Sequence, residues 1–489
     1  MNPNVVRGRA RCVMVLGTTS GAGKSWLATA LCRWYARQGL RVAPFKAQNM
    51  SNNARVVAGG EIGSAQYFQA LAARAAPDVR MNPLLLKPER DTHSQVILMG
   101  QVSNELSELP WRGRSERVWP RIAQALDELC DDNDVVVIEG AGSPAEINLM
   151  ASDIVNLRVA RHAGARCLLV TDIDRGGAFA HLYGTWALMP AADRDMLSGF
   201  VLNKFRGDAA LLAPAPQQLQ ELTGVPTVAT LPMWWQHGLP EEDGVFDDRS
   251  VSSGEVTRTV AVVAYPRISN LDEFQPLKNI AGLRLRWARS PADVAGADWI
   301  ILPGSKHTSS DLAWMRAQGL DRAVAAHASR GGMVLGICGG LQMLGEALID
   351  PHGVDGNGPG LGLLPLVTVF AADKTVRHRE AAFLSLTGPW AALSGVNVHG
   401  YEIHHGQTAE HAAMAAAGDR ATAVMPDELA WQNNAGNVLG LYLHGLFEDP
   451  AVLHALFGVA ARTLDAVFDG LADHIDSHFE PGVLRSLIE

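Results

Sequence analysis

Two groups of residues have types and spacing suited to chemistry, one near each end of the chain. The first is Gly17-Thr18-Thr19-Ser20-Gly21-Ala22-Gly23-Lys24-Ser25, preceded by the apolar run Val13-Met14-Val15-Leu16 and followed from Trp26 by a helical pattern. Strand, glycine-rich turn and helix start together converge backbone N–H groups into an anion site. Gly21 and Gly23 let the backbone approach phosphates, Lys24 reaches the β/γ-phosphates of ATP, and the Ser25 hydroxyl is suited to Mg²⁺. The loop is one residue longer than the standard phosphate-loop pattern, and GxGxxG, the dinucleotide fingerprint, is absent. The bland alternative is a glycine-rich turn before a helix. Glu139, in Val137-Ile138-Glu139-Gly140, ends another strand and is either a second Mg²⁺ ligand or an acid facing water. Asn203, in Asn203-Lys204-Phe205-Arg206, is either a nucleotide contact or a polar strand cap.

The second group is Val334-Leu335-Gly336-Ile337-Cys338-Gly339-Gly340-Leu341-Gln342, a G-x-C-x-G turn between strand and helix. This is a nucleophile elbow with cysteine in place of serine: glycines permit the tight turn, and a helix start favours the thiolate. The Gly339 N–H is placed for an oxyanion hole, and Gly304, in Leu302-Pro303-Gly304-Ser305, offers a second donor. His444, in Leu443-His444-Gly445, follows a late strand and is the candidate base. A buried core thiol is the alternative for Cys338. His399, His404 and His405 lack companion ligands for zinc, and Tyr401-Glu402-Ile403-His404-His405-Gly406 is better suited to lining the thiol site.

Positioning these groups requires parallel sheets. Short runs rich in β-branched residues (13–16, 40–43, 135–138, 167–170, 200–202) alternate with helical patterns, then the alternation lapses into Gly, Pro, acidic and Ser residues and resumes at 259–264, 299–302, 333–337 and 438–443. The expected fold is α/β with two domains. Residues 1–235 form a phosphate-loop unit, 236–257 a linker and 258–455 a thiol unit, with 456–489 a helical extension packed on the second domain. The pattern says little about 371–393.

The chain has 489 residues, 47% of them hydrophobic, and a net charge of −10, which argues against coating nucleic acid or an anionic membrane. Five cysteines without a CxxC pair fit a reducing compartment, no apolar run is long enough to span a bilayer, and the run at 12–16 is too short for a signal peptide. A soluble, cytoplasmic enzyme is expected.

At these residues the chain resembles, over essentially its whole length, the cobyric acid synthase family of glutamine-dependent, cobyrinate-type amidotransferases. The 17–25 loop is similar to that of dethiobiotin synthetase-like ATPases, which tolerate the extra residue. Phe45-Lys46-Ala47-Gln48-Asn49-Met50-Ser51-Asn52-Asn53 resembles a segment that separates this family from the related a,c-diamide synthases, and 137–142 and Asp172-Ile173-Asp174-Arg175-Gly176-Gly177 also match. The second half resembles a class I glutamine amidotransferase domain with Cys338 as nucleophile and His444 as catalytic histidine. Ordinary class I domains carry glutamate two positions after that histidine, where this chain has Leu446; Glu448 is not assigned the missing role. The resemblance implies ATP- and glutamine-dependent amidation of the b, d, e and g carboxylates of adenosylcobyrinic acid a,c-diamide to adenosylcobyric acid. The competing expectations are an a,c-diamide synthase and a regulatory phosphate-loop ATPase with a glutamine-sensing domain.

Overall fold

The structure is a computed structural model and describes residues 9–90, 93–235, 237–240, 255–458 and 463–489. Of the expected linker, residues 236 and 241–254 lie outside the described residues.

The first domain is built on a six-stranded parallel sheet. Its strands are β1 (Arg11–Gly17), β2 (Val42–Phe45), β3 (Val135–Glu139), β4 (Arg166–Asp172), β5 (Leu197–Phe205) and β6 (Thr227–Pro232), in the order β6-β5-β4-β1-β3-β2. After its first residue β1 is entirely buried, as expected of a central strand covered on both faces by helices. β1 lies between β3 and β4, so the loop that follows it opens beside the ends of both neighbours, which carry Glu139 and Asp172. Helix α1 (Lys24–Arg37) starts directly after that loop, and α2 (Ser64–Ala72) packs beside it.

The second domain repeats the logic with β7 (Arg258–Val263), β8 (Leu283–Ala288), β9 (Trp299–Leu302), β10 (Met333–Ile337), β11 (Thr422–Ala423), β12 (Ala430–Gln432) and β13 (Val438–Leu441). The order is β8-β7-β9-β10-β13-β12-β11, parallel through β13 and antiparallel beyond it. The cysteine follows central strand β10 and the histidine follows its neighbour β13, which brings residues distant in sequence to one sheet edge. The stretch on which the sequence was least informative supplies most of the first strand of a long antiparallel pair, Leu366–Ala382 with Asn397–Glu410. This pair reaches the first domain at Ala54–Val57, where Ile403 packs on Ala54, Leu85 and Ile97.

The C-terminal extension corrects one expectation. Pro450–Phe457 does join the second core, but α3 (Leu464–His478) crosses back to the first domain and lies along α1. Val467, Phe468, Leu471 and Ile475 enter the core formed by Leu27, Leu31 and Leu231. Arg33 donates to Asp469 at 2.7 Å, the Trp34 indole N–H to Asp476 at 2.7 Å, and the Tyr35 hydroxyl to the Leu484 carbonyl at 2.8 Å. The apolar stripe was legible; its destination depended on α1, which presents basic and aromatic donors to the acids of α3.

Candidate active sites

The 18–23 turn wraps the end of β1 with Gly21 at φ 72° and Gly23 at φ 99°, conformations that favour glycine. Gly23 is also needed for space, since a Cβ there would lie 2.0 Å from Asn203 Nδ2. Asn203 donates to the Ala22 carbonyl at 2.9 Å and Lys204 to the Gly21 carbonyl at 2.8 Å, so these residues brace the loop from below. Lys24 Nζ lies over the loop mouth, 3.0 Å from the Thr19 carbonyl and 3.2 Å from that of Gly142. Neither Glu139 oxygen faces water. Oε1 accepts from Ser25 Oγ at 2.8 Å and Lys46 Nζ at 2.9 Å, and Oε2 accepts from Gln69 at 2.6 Å. Burial alone would raise its pKa; the Lys46 charge and these hydrogen bonds outweigh it and hold the carboxyl below its ordinary range. Two hard oxygen donors, Ser25 and Glu139, thus meet at the loop, a donor set that fits Mg²⁺. Lys46 belongs to the 45–53 segment and joins that segment to the phosphate loop.

At the thiol site, Cys338 sits at φ 51°, ψ −105°, a conformation costly for a residue with a Cβ. The flanking glycines explain how the turn closes. A Cβ at 336 would lie 2.7 Å from the Gly340 backbone, one at 340 would lie 1.8 Å from the Leu302 carbonyl, and one at 339 would lie 2.8 Å from Ser305 N. Gly339 and the 304–305 strand therefore face each other beside the thiol. Gly304 admits the histidine: a Cβ there would be 2.7 Å from His444 Cε1. His444 is buried and its Nδ1–H donates to Glu273 Oε1 at 3.2 Å, while Glu273 Oε2 accepts from Gly445 N at 3.0 Å. Burial lowers the imidazole pKa, but the Glu273 carboxylate and the neighbouring Cys338 sulfur raise it, to about 10. His444 is thereby held as an imidazolium beside the Cys338 sulfur.

The structure brings together Cys338, His444, Gly304 and Gly339, and separately Gly21, Gly23, Lys24, Ser25, Glu139 and Asn203. Sequence reasoning missed Glu273, which lies in the short turn Leu271–Phe274 and 171 residues before the histidine. Its one signal was an acidic pair soon after the first strand of the second domain, with no spacing rule to connect it to His444. Tyr401 stacks on His444 with ring centroids 5.4 Å apart, and His404 and His405 line the same cavity. That cavity lies between the domains: Asn52, Lys87 and Gln95 of the first face Cys338, Lys306 and Lys374 of the second.

A phosphate loop on one parallel sheet and a Cys–His–carboxylate set on another define a two-domain amidotransferase that joins nucleotide chemistry to glutamine hydrolysis. Residues 13–239 match the CobQ/CobB/MinD/ParA nucleotide binding domain, and residues 259–452 match the CobB/CobQ-like glutamine amidotransferase domain. Curated relatives named cobyric acid synthase include that of Variovorax paradoxus (strain S110), 83% identical over 98% of this chain and 99% of its own. That of Polaromonas naphthalenivorans (strain CJ2) is 78% identical over the same shares, and that of Leptothrix cholodnii 63% identical over 99% and 98%. The chain belongs to the cobyric acid synthase family. Among the described residues no helix is long and apolar enough to cross a membrane.

Proposed function

We propose that this chain amidates the b, d, e and g carboxylates of adenosylcobyrinic acid a,c-diamide, drawing nitrogen from glutamine and activation from ATP, and releases adenosylcobyric acid in the cytoplasm. The observation that carries the reading is the cavity shared by both domains, with Cys338 and His444 on one wall and, on the other, Asn52 of the 45–53 segment, which Lys46 ties to the phosphate loop. The name the relatives carry supplies the acceptor class.

The Cys338 thiolate attacks the side-chain carbonyl carbon of glutamine. The resulting oxyanion is within reach of the Gly339 N–H and the 304–305 backbone. His444, held by Glu273, donates its proton to the departing nitrogen, and water then hydrolyses the thioester to glutamate. The buried carbonyl oxygens of Asn52 and Gln95, which have no hydrogen-bond partner among the described residues, line the cavity and can accept N–H from glutamine or released ammonia. In the first domain, Lys24 stabilises the phosphoryl group as it passes from ATP to a corrinoid carboxylate, whose oxygen thereby becomes a leaving group. Ammonia displaces phosphate from the acyl phosphate to give the amide. Ser25 and Glu139 would hold Mg²⁺, which supplies charge neutralisation on the phosphates when bound.

The test is an assay with glutamine, ATP–Mg²⁺ and a panel of corrinoid carboxylates, resolved by product mass. Addition of four amides to the a,c-diamide supports the reading. Amidation at the a and c positions alone would make the chain an a,c-diamide synthase. ATP turnover with no acceptor dependence would make it a regulatory ATPase.

A further inference from the structure

Resting on the assignment of Cys338 and His444 to glutamine hydrolysis, we propose that Arg55 of the first domain is a positioning residue for that site on the second. It fixes the segments that hold His444, so the hydrolytic geometry is complete only while the strand bearing Arg55 is docked.

Arg55 lies in Ala54–Val57, immediately after the 45–53 segment, and is 2% exposed. Its Nε donates to Asp272 Oδ2 at 3.1 Å and its Nη1 to Glu448 Oε2 at 2.8 Å. The rings of Tyr67, Phe68 and Tyr401 surround the guanidinium at 5.6, 4.9 and 5.2 Å. Every second-domain group it touches is one step from the histidine. Asp272 precedes Glu273, the partner of His444 Nδ1. Glu448 N donates to the Gly445 carbonyl at 3.0 Å, next to His444. Tyr401 stacks on the imidazole, and its backbone exchanges hydrogen bonds with the backbone of His444, at 2.9 and 3.3 Å. The neighbours of Arg55 bind the same segment: Asn53 Oδ1 accepts from Leu271 N at 2.9 Å, and Ala54 N donates to Asn270 Oδ1 at 3.3 Å.

The charge balance explains why an arginine is required. Asp272 and Glu273 are buried, Glu448 lies partly buried beside them, and of these three carboxylates His444 pairs with Glu273. Without a cation between the other two, repulsion and desolvation would separate them or protonate one, and Glu273 would move with its chain neighbour. The planar fork of arginine can address both carboxylates while stacking on aromatic faces; lysine keeps the charge and loses that geometry. An arginine serving only to glue the domains would affect both halves of the reaction alike. A positioning arginine affects the glutamine half.

The experiment uses the full chain with Arg55→Met and Arg55→Lys. Glutamine hydrolysis is followed against pH, and amidation is measured with glutamine and with ammonium chloride as separate donors. Arg55→Met is expected to lower kcat for glutamine by roughly 5–150-fold, the span of an intersite coupling. KM for glutamine should change little, the alkaline limb of the profile should shift from the parent's, and the ammonia-dependent rate should stay near the parent's. Arg55→Lys should recover part of the loss. Parental glutamine hydrolysis and pH profile in Arg55→Met would overturn the proposal, as would parallel loss with both donors. If Arg55→Met does not fold, Arg55→Lys and Glu448→Gln decide, and unchanged pH profiles in both count against it. A parent enzyme that hydrolyses glutamine but amidates no corrinoid would defeat the proposed function, while the hydrolysis measurements would still judge Arg55.

Discussion

The two chemical sites are assembled in different ways. The phosphate loop is nearly all local: strand, turn, lysine and serine run consecutively from Arg11 to Ser25, and only Glu139, Asn203 and Lys46 arrive from elsewhere. The thiol site gathers Cys338, the 304–305 strand, Glu273 and His444 from four separate connections of the second sheet. The first site needs one strand and one helix to be in place. The second needs the whole domain folded, and Asp272, the chain neighbour of its carboxylate, accepts from Arg55 of the other domain.

The largest effect expected of this comparison is a clean split between donors. Cys338→Ala removes the proposed thioester nucleophile and should abolish amidation from glutamine. The phosphate loop lies on a separate sheet and should keep its geometry, so ammonium chloride should restore amidation, at a rate that rises with pH as more NH₃ is free. Lys24→Ala should abolish amidation from both donors while glutamine hydrolysis survives, because it removes a charge facing the transferring phosphoryl group. Product mass with each donor checks both variants. Inactivity of a folded, ATP-binding Cys338→Ala with both donors would show that the two chemistries are not separable.

The same contrast decided what the sequence could reveal. Contiguous motifs carried their own context: the glycines of 17–25 and 336–340 announced tight turns, and the structure finds Gly23, Gly336 and Gly340 where a Cβ would collide. His444 stood out in the sequence only as a histidine after a late strand, and the structure pairs that strand with the elbow strand. Glu273 was not, because no periodicity connects a short turn after β7 to a residue after β13. The gap at Leu446 was correctly seen, but the remedy came from another connection rather than from Glu448, whose carboxylate is turned to Arg55. The helix at 464–478 failed for the complementary reason. Its amphipathic stripe specifies that one face is buried and says nothing about which domain buries it.

An intermediate effect is expected at the carboxylate that the sequence did not reveal. Glu273→Gln keeps a hydrogen-bond acceptor for His444 Nδ1 but removes the negative charge. Turnover of glutamine should fall by roughly 10–100-fold, less than for loss of the nucleophile, since the thiol and the oxyanion donors remain. The pH profile gives the sharper reading. With His444 raised from 6.5 to about 10, the imidazolium persists well above neutrality and the alkaline limb reflects its loss as pH rises through that value. Removing the Glu273 charge lowers the imidazole pKa, so the limb must move toward lower pH. An unmoved limb would show that the thiolate alone holds the proton on His444.

The smallest effect on catalysis should come from the element whose destination was misread. Phe468 is fully buried among Val467, Leu471 and α1 and ties the end of the chain to the helix that begins at Lys24. Phe468→Ala leaves a cavity and should destabilise the first domain by about 3–5 kcal/mol. The ion pairs of Arg33 and Arg37 with α3 are partly solvated and soften this little. If α3 acts only as packing, amidation below the unfolding temperature should stay within about twofold of the parent with either donor, because a core deletion away from the site alters stability rather than the transition state. Thermal unfolding and donor-resolved rates on the same preparation make the comparison. A lower melting temperature with unchanged rates confirms that the strap supports the nucleotide domain without taking part in its chemistry. A selective fall in ammonia-dependent amidation would instead show that α1 transmits the packing of α3 to Lys24 and Ser25.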